Sequence, residues 1–389
     1  MKLGLLTTIG TNIGDDFIRE GLLRCIREIA PVARLDLVLL NKHRPEEIYP
    51  RWHPLRVLDK KRFRPRWLSK PVRMVAARLL PPLGWSAFDD CDVLIQCGTP
   101  VLWRGCRASE WARTIWRDVF GRLAREGAPV LNLGAGSCYP LEQLPETLVG
   151  DPDEEFVRLM LGAARLTTAR DPLAGRLIAS VGGAAPVLCC PALLAGQSQV
   201  GCSRPTSKVV VNYMAGAGHY EWSQAIDARQ WEAVMRTTVR HLEQSGWQPF
   251  FLAHNQKELA LAAEIWPHLP RACAAHVHQY FELAREAAFG VCNRLHASMA
   301  LAGLGIPCVT VGTDSRLFMV RMTGQAAFFV KEATTEQMIA AVDHLRDHRD
   351  AESKRLLALH DATLKEHLHH LRPIFEKFGR AGGGFQPRH

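Results

Sequence analysis

Short, continuously apolar runs alternate along this chain with longer stretches in which apolar residues recur every three to four positions. "KLGLLTT" predicts a first strand. "DDFIREGLLRCIREIA" then sets Phe17, Ile18, Leu22, Cys25, Ile26 and Ile29 on one helical face. "RLDLVLL", "DVLIQC", "PVLNLG", "RLTTA" and "APVLCC" read as further strands, with helical stretches near 108–126, 153–163 and 172–181. The text from Ala192 to Ser207 is rich in Gly, Ser and Pro and predicts a linker. Beyond it the rhythm restarts: "KVVVNYM", a helix over 226–245, "PFFLAH", a helix over 256–266, "FGVC", a helix over 294–304, "PCVTVG", and mostly helix over 334–378. Strands alternating with helices argue for α/β halves whose mostly parallel sheets are covered on both faces. The expected organisation is a first domain over 1–195, a linker over 196–207, a second domain over 208–378 and a loose glycine-rich tail over 379–389. Ligands of open α/β sheets bind beyond the carboxyl ends of strands, so two such halves imply a cleft.

Composition narrows the partners. The 389 residues are too many for one ordinary domain. The formal charge of +9 suits an acidic partner: a phosphorylated substrate, an anionic membrane surface or nucleic acid. Its Lys and Arg are spread out, which disfavours nucleic acid. One exception is the segment 56–78, with nine basic residues, one acid and Phe63 and Trp67 interleaved. It reads either as a solvated insertion or as a patch for an anionic acceptor or lipid headgroups at the inner membrane face. Eleven cysteines, irregularly spaced and mostly inside apolar runs, read as buried free thiols of a reducing cytoplasm. No run approaches the roughly eighteen apolar residues of a membrane span, and the N-terminus does not read as a signal peptide.

Candidate chemistry gathers at strand ends. In "FGVC-NRLHASMALAGLG-IP" Arg294 and His296 fall at a strand's end or a helix's first turn, where free N–H groups already favour an anion. The small residues behind them would let the helix lie close to the sheet. The alternative is an Arg294 paired with a local carboxylate and a His296 that caps the turn. Arg170-Asp171 again stands between a strand and a helix, with Asp171 the expected N-cap and Pro172 in the first turn. Gly10, Asn12 and Gly14 make the first βα loop, followed by Asp15 and Asp16, of which Asp15 is the expected N-cap. This is neither a dinucleotide fingerprint nor a P-loop. Gly98 lies at another strand end, and Asp314 with Arg316 at a third. Metal ligation has weak support: His276 and His278 alternate on a possible strand, His344 and His348 sit on a charged helix face, and no zinc motif is present.

Taken in order, these pieces resemble the polysaccharide pyruvyl transferase family. The shared look is "N-x-G-D" at Asn12, Gly14 and Asp15, a glycine-bearing strand end at Gly98, and "R-D" at Arg170-Asp171. It continues with "R-L-H" at Arg294-Leu295-His296, "G-x-P" at Gly305-Ile306-Pro307, and an acid then a base at Asp314 and Arg316. The match spans roughly residues 1–325. It departs at "CGTP", at "CCPALL" where many members carry Asp-Pro, and at Arg316 where many carry lysine. The resemblance implies two Rossmann-like domains facing a cleft, as in GT-B glycosyltransferases, with the acceptor on the N-terminal side and the donor on the C-terminal side. It implies a pyruvyl group moved from phosphoenolpyruvate to hydroxyls of a glycan or lipid-linked sugar, with a ketal and phosphate as products and no cofactor or metal. By the same resemblance, Arg170 and Arg294 would hold the donor, and His296 would be acid–base catalyst or donor ligand. Asp15 is carried as a second catalytic candidate. Asn12, Gly14, Gly98, Leu295, Asp314 and Arg316 would line the substrates. Replacing Arg294 by Ala should then remove donor binding and leave the fold intact. Two other readings stay open: a GT-B glycosyltransferase or nucleotide-sugar enzyme, and a non-enzymatic basic module for anionic polymers or membranes.

Overall fold

Two six-stranded sheets, parallel at every pairing, organise the computed structural model of the chain. It describes residues 1–10, 12–57, 86–98, 100–109, 111–196, 206–217 and 224–379. The first sheet comprises β1 (Lys2–Thr7), β2 (Asp36–Asn41), β3 (Val93–Cys97), β4 (Pro100–Leu102), β5 (Val130–Ser137) and β6 (Leu166–Ala169). Its order is β2-β1-β3-β5-β4, with β6 also on β5. The second holds β7 (Lys208–Asn212), β8 (Gln248–Ala253), β9 (Arg271–Cys273), β10 (Phe289–Cys292), β11 (Cys308–Gly312) and β12 (Ala327–Phe329), in the order β12-β11-β10-β7-β8-β9. Most crossovers among the described residues are helices, as parallel pairing requires. Those used below are α1 (Ile13–Ile29), α2 (Glu154–Ala163), α3 (Pro172–Ser180), α4 (Ala228–Gln244), α5 (Gln256–Ile265), α6 (Val277–Ala284), α7 (Leu295–Gly303), α8 (Leu317–Arg321) and α9 (Thr335–Gly379).

The halves are not separate bodies. One apolar core runs through both, joining Leu5, Phe17 and Leu22 to Leu252, Tyr280 and Leu301. The end of α9 returns to this same core with Leu371 and Phe375, and His367 Nε2 lies 2.9 Å from the Cys189 carbonyl. Arg24 of α1 donates from Nη1 to the carbonyls of Leu194 and Gly196, at 3.3 and 2.7 Å.

Three local expectations are corrected here. "APVLCC" is no strand: Val187 makes one isolated bridge with Ala169. Pro186 and Pro191 have no N–H to extend a ladder. The expected linker does not begin at Ala192, because Pro191–Leu194 form a buried 3-10 turn in the core. It threads between α1 and α7 where two glycines make room. A Cβ on Gly21 would lie 1.9 Å from the Pro191 carbonyl oxygen, and one on Gly303 2.0 Å from that of Leu193. Apolar runs of this length fit a buried strand or a buried coil equally well, which is why the pattern misled. His276 and His278 are not on a strand either: His276 caps α6, its Nδ1 accepting from Gln279 N at 3.2 Å.

The basic segment 56–78 lies outside the described residues from position 58 onward, and so does the tail beyond Gly379. Every described cysteine is free, and all but Cys273 are buried. No helix among the described residues is long and apolar enough to cross a membrane.

The glycine contacts make a first prediction. Gly21→Ala forces a methyl into a backbone carbonyl and should cost about 3 kcal/mol. Gly162→Ala, on α2 with nothing within 4 Å, should gain about 0.5–1 kcal/mol. Urea unfolding of the two variants checks both signs.

Candidate active site in the cleft

The strand ends of both sheets meet at one seam, and Arg170 lies at its centre. It follows β6, and Asp171 turns the chain into α3. Asp171 is the N-cap, as expected, accepting from Ala174 N at 2.8 Å. It also takes the N–H and the hydroxyl of Ser137, both at 2.8 Å. The Ser137 hydroxyl in turn meets Ser315 Oγ of the other half at 2.7 Å. Tyr139 N–H reaches the same Ser315 oxygen at 3.0 Å, and Ser315 N–H returns a 2.8 Å bond to the Tyr139 carbonyl. Burial pushes the Asp171 carboxyl up, against these donors.

Arg170 itself is fully buried. Its Nη1 donates to the Gly98 carbonyl at 2.6 Å and to His296 Nε2 at 3.1 Å. Its Nε and Nη2 are buried with no hydrogen-bond partner among the described residues. Glycines clear the space: a Cβ on Gly136 would lie 2.3 Å from Arg170 Nε, and one on Gly14 2.9 Å from His296 Nδ1. Gly98, at φ +34°, has its Cα against Ile18. It therefore serves the seam through its carbonyl. A guanidinium only donates, so His296 Nε2 accepts and the imidazole proton sits on Nδ1. Burial, followed by the neighbouring charges of Arg170 and Arg316, holds His296 well below the usual imidazole range.

Arg294 is the N-cap residue of α7. Its N–H is fixed by Asn212 Oδ1 at 2.8 Å. The local-carboxylate alternative is present: Nε and Nη2 both donate to Glu258 Oε1, the first at 2.8 Å. Glu258 belongs to a capping box with Asn255 at the start of α5, a pattern readable as N-x-x-E in "NQKE". Burial raises the Glu258 carboxyl, but Arg294 and the surrounding donors outweigh it and hold it below its ordinary value. Arg294→Ala would strand a buried carboxylate, so the expectation of an intact fold is revised. Arg294 Nη1 has no partner among the described residues and stands at the cleft.

Asp314 is buried and grips Arg316 with both oxygens, Nε to Oδ1 at 2.8 Å and Nη2 to Oδ2 at 2.7 Å. The N-cap of α1 is Asn12 and not Asp15: Asn12 Oδ1 accepts from Gly14 N at 3.0 Å. Asp15 lies in the first turn, and Asp16 pairs with Arg19 at 2.7 Å. Two residues that the sequence did not single out join the site. Lys42, at the end of β2, is half-buried and its ammonium has no bonded partner among the described residues. Burial lowers its pKa; Asp15 opposes this and Arg170 and Arg316 reinforce it. His254, at the end of β8, is buried with Nδ1 at 3.3 Å from Asn12 Oδ1 across the seam. Burial draws it down to about 3 despite Glu258.

Two cavities open here. A small one of about 30 Å³ is lined by His296, Leu295, Arg294, Asp314, Arg316 and Asn12, among others. It has room for little more than water. It shares Asn12, Met214, His254 and Arg294 with a second of about 820 Å³. Arg170 lies behind His296 and lines neither. Among the described residues no group of three or more His, Cys, Asp or Glu could hold a metal ion.

A cleft lined by arginines between two parallel α/β halves, with an imidazole at its floor, defines a GT-B-like architecture. The chain belongs to the polysaccharide pyruvyl transferase family, whose model matches residues 12–315. It is thus an enzyme of polysaccharide biosynthesis that transfers pyruvyl groups. No curated protein matches the sequence. Among solved structures, the S. aureus MnaA–UDP complex is 11% identical with a TM-score of 0.54, over 95% of this chain and 96% of that one. The Neisseria meningitidis UDP-GlcNAc 2-epimerase bound to UDP-GlcNAc is 10% identical with a TM-score of 0.53, over 95% and 99%. The putative Listeria monocytogenes epimerase is 13% identical with a TM-score of 0.53, over 97% of each chain. At such identity the likeness is one of fold, two Rossmann-like domains in a GT-B-like arrangement.

The buried neutral histidines predict an acid-side loss of stability. Unfolding lets His254 protonate near its ordinary pKa, while the folded protein resists until about 3. Stability is therefore full above about pH 6.5 and falls with pH below it, by ~1.4 kcal/mol per pH unit for each such group. Urea midpoints measured from pH 7.5 to 4.5 should fall less steeply in His254→Phe than in the wild type.

Proposed function

We propose that the protein transfers a pyruvyl group from phosphoenolpyruvate to two hydroxyls of one sugar in a polysaccharide or glycan precursor. The products are a pyruvate ketal and phosphate. The observation that carries this reading is the floor of the cleft: a neutral imidazole flanked by Arg170, Arg294 and Arg316, with unpaired N–H donors left over. A substrate bearing a phosphate and a carboxylate matches that excess of donors and charge.

The chemistry follows from the donor. Protonation of its methylene carbon makes a methyl group and an electron-poor C2. One hydroxyl oxygen attacks C2, the C2–O bond to phosphate breaks, and the second hydroxyl closes the ketal. Of the two hydroxyl protons released, one replaces the proton given to carbon and the other leaves on phosphate. His296 is the acid–base group of this scheme. It is neutral by itself, and the donor's negative charge offsets the arginines and raises its proton affinity; the added proton enters at Nε2 and displaces the Arg170 hydrogen bond there. Arg294 Nη1 faces the donor at the junction of the cavities, and Arg316 faces it from the small one. Arg170 acts from beneath, fixing the His296 tautomer through Nε2 and adding charge. Lys42 and Asp15 complete the electrostatic frame at the N-terminal side. Nothing in this scheme requires a metal or cofactor. The buried free thiols support a reducing, cytoplasmic setting, and a lipid-linked acceptor would meet the enzyme at the inner membrane face.

Thermal unfolding with millimolar phosphoenolpyruvate, and separately with uridine diphosphate, tests this. A ligand at a hundredfold excess over its Kd adds about 2.7 kcal/mol. The expected result is a rise with phosphoenolpyruvate alone. Arg294→Met should lose about 3–5 kcal/mol by stranding Glu258. The double variant Arg294→Met/Glu258→Gln should regain most of that stability and still fail to respond to phosphoenolpyruvate. A rise with the nucleotide alone would replace this reading with that of a nucleotide-sugar enzyme.

A further inference from the structure

His254 holds an unexplained nitrogen. The Asn12 carboxamide oxygen already accepts the Gly14 N–H at 3.0 Å, so its orientation is set. At the 3.3 Å contact His254 Nδ1 must therefore be the donor. That leaves Nε2 as a bare acceptor, buried and without a partner among the described residues. Buried polar atoms are rarely left so. The ring is held firmly, edge-on to Phe17 at 5.9 Å and to Tyr280 at 5.5 Å between centroids. His254 also lines both cavities, standing where the large one meets the small one.

The large cavity has the size of a sugar site, about 820 Å³. Met214, Leu261, Ala274 and Ala275 give it apolar wall for the C–H face of a pyranose, and Arg294 and His254 stand at its inner end. Among the described residues no Trp, Tyr or Phe lines it, so a nucleobase has no ring to stack on.

We infer that this cavity is the acceptor pocket, that it takes a pyranose, and that His254 Nε2 receives the hydrogen bond of one sugar hydroxyl and aims that oxygen at the donor. The inference rests on the pyruvyl-transfer reading. It sets the acceptor mainly against the C-terminal half, with Gly10, Asn12, Ile13 and Asp16 closing the pocket from the other side. His254 is neutral at working pH, so it serves as a fixed acceptor rather than as a charge.

Saturation-transfer NMR tests it on the whole chain, with millimolar phosphoenolpyruvate and the methyl pyranosides of glucose, galactose, mannose, N-acetylglucosamine and N-acetylmannosamine. The wild type should saturate phosphoenolpyruvate and at least one pyranoside. His254→Phe keeps the ring packing and removes the orphaned nitrogen. Its melting temperature should equal or exceed the wild type's, its phosphoenolpyruvate signal should persist, and its sugar signals should fall at least fivefold. Leu261→Trp, which fills the cavity from the α5 side, should lose the sugars and keep the donor. Sugar signals that persist in both variants, or no sugar signal from the wild type, overturn the inference. A sugar signal without one from phosphoenolpyruvate fails the donor reading and leaves the pocket standing.

Discussion

A guanidinium sealed inside the seam between two sheets is the constraint around which this molecule is arranged. Burying a charge with two donors unsatisfied is costly, of the order of several kcal/mol. The surroundings are shaped to keep it there. The Gly98 carbonyl and His296 take its Nη1, the absent side chain of Gly136 gives it room, and the Asp171–Ser137–Ser315 chain locks its strand end to the opposite half. Gly14 lets the His296 ring lie against the first turn of α1. The Arg170 donor, at His296 Nε2, fixes which imidazole nitrogen carries the proton. Fold and chemistry thus depend on one hydrogen bond between residues from different halves.

Charge explains the rest of the site. Arg294 and Arg316 are each held by a carboxylate, Glu258 and Asp314, whereas Arg170 and Lys42 are not. The cleft therefore carries uncompensated positive charge, which adds to burial in keeping His296 neutral, whereas His254 is held neutral by burial against the pull of Glu258.

Much of this was legible in the sequence. The strand–helix rhythm gave both sheets, because parallel strands are short apolar runs bounded by helical periods. "RD" and "RLH" marked the strand ends that meet at the seam, where Arg170 reaches His296. What stayed hidden depended on partners distant along the chain. His254 reads as an unremarkable residue after a strand until Asn12 is seen opposite it. Lys42 is one lysine among many until Arg170 and Arg316 surround it. Glu258 could have been found from its capping box, although its hold on Arg294 could not. "CCPALL" misled because a coil threaded through the core is as apolar as a strand. The glycines facing its backbone, Gly21 and Gly303, hint at a crossing, and they lie in other elements.

The central claim is that donor charge converts a neutral His296 into a proton-bearing one. Calorimetric titration with phosphoenolpyruvate near pH 8, in buffers of different ionisation enthalpy, measures this directly. At that pH the ligand has already lost its titratable protons, so any exchange belongs to the protein. The account predicts net proton uptake by the wild type that falls sharply in His296→Gln, with binding retained. Binding without uptake, or uptake of equal size in His296→Gln, would contradict it.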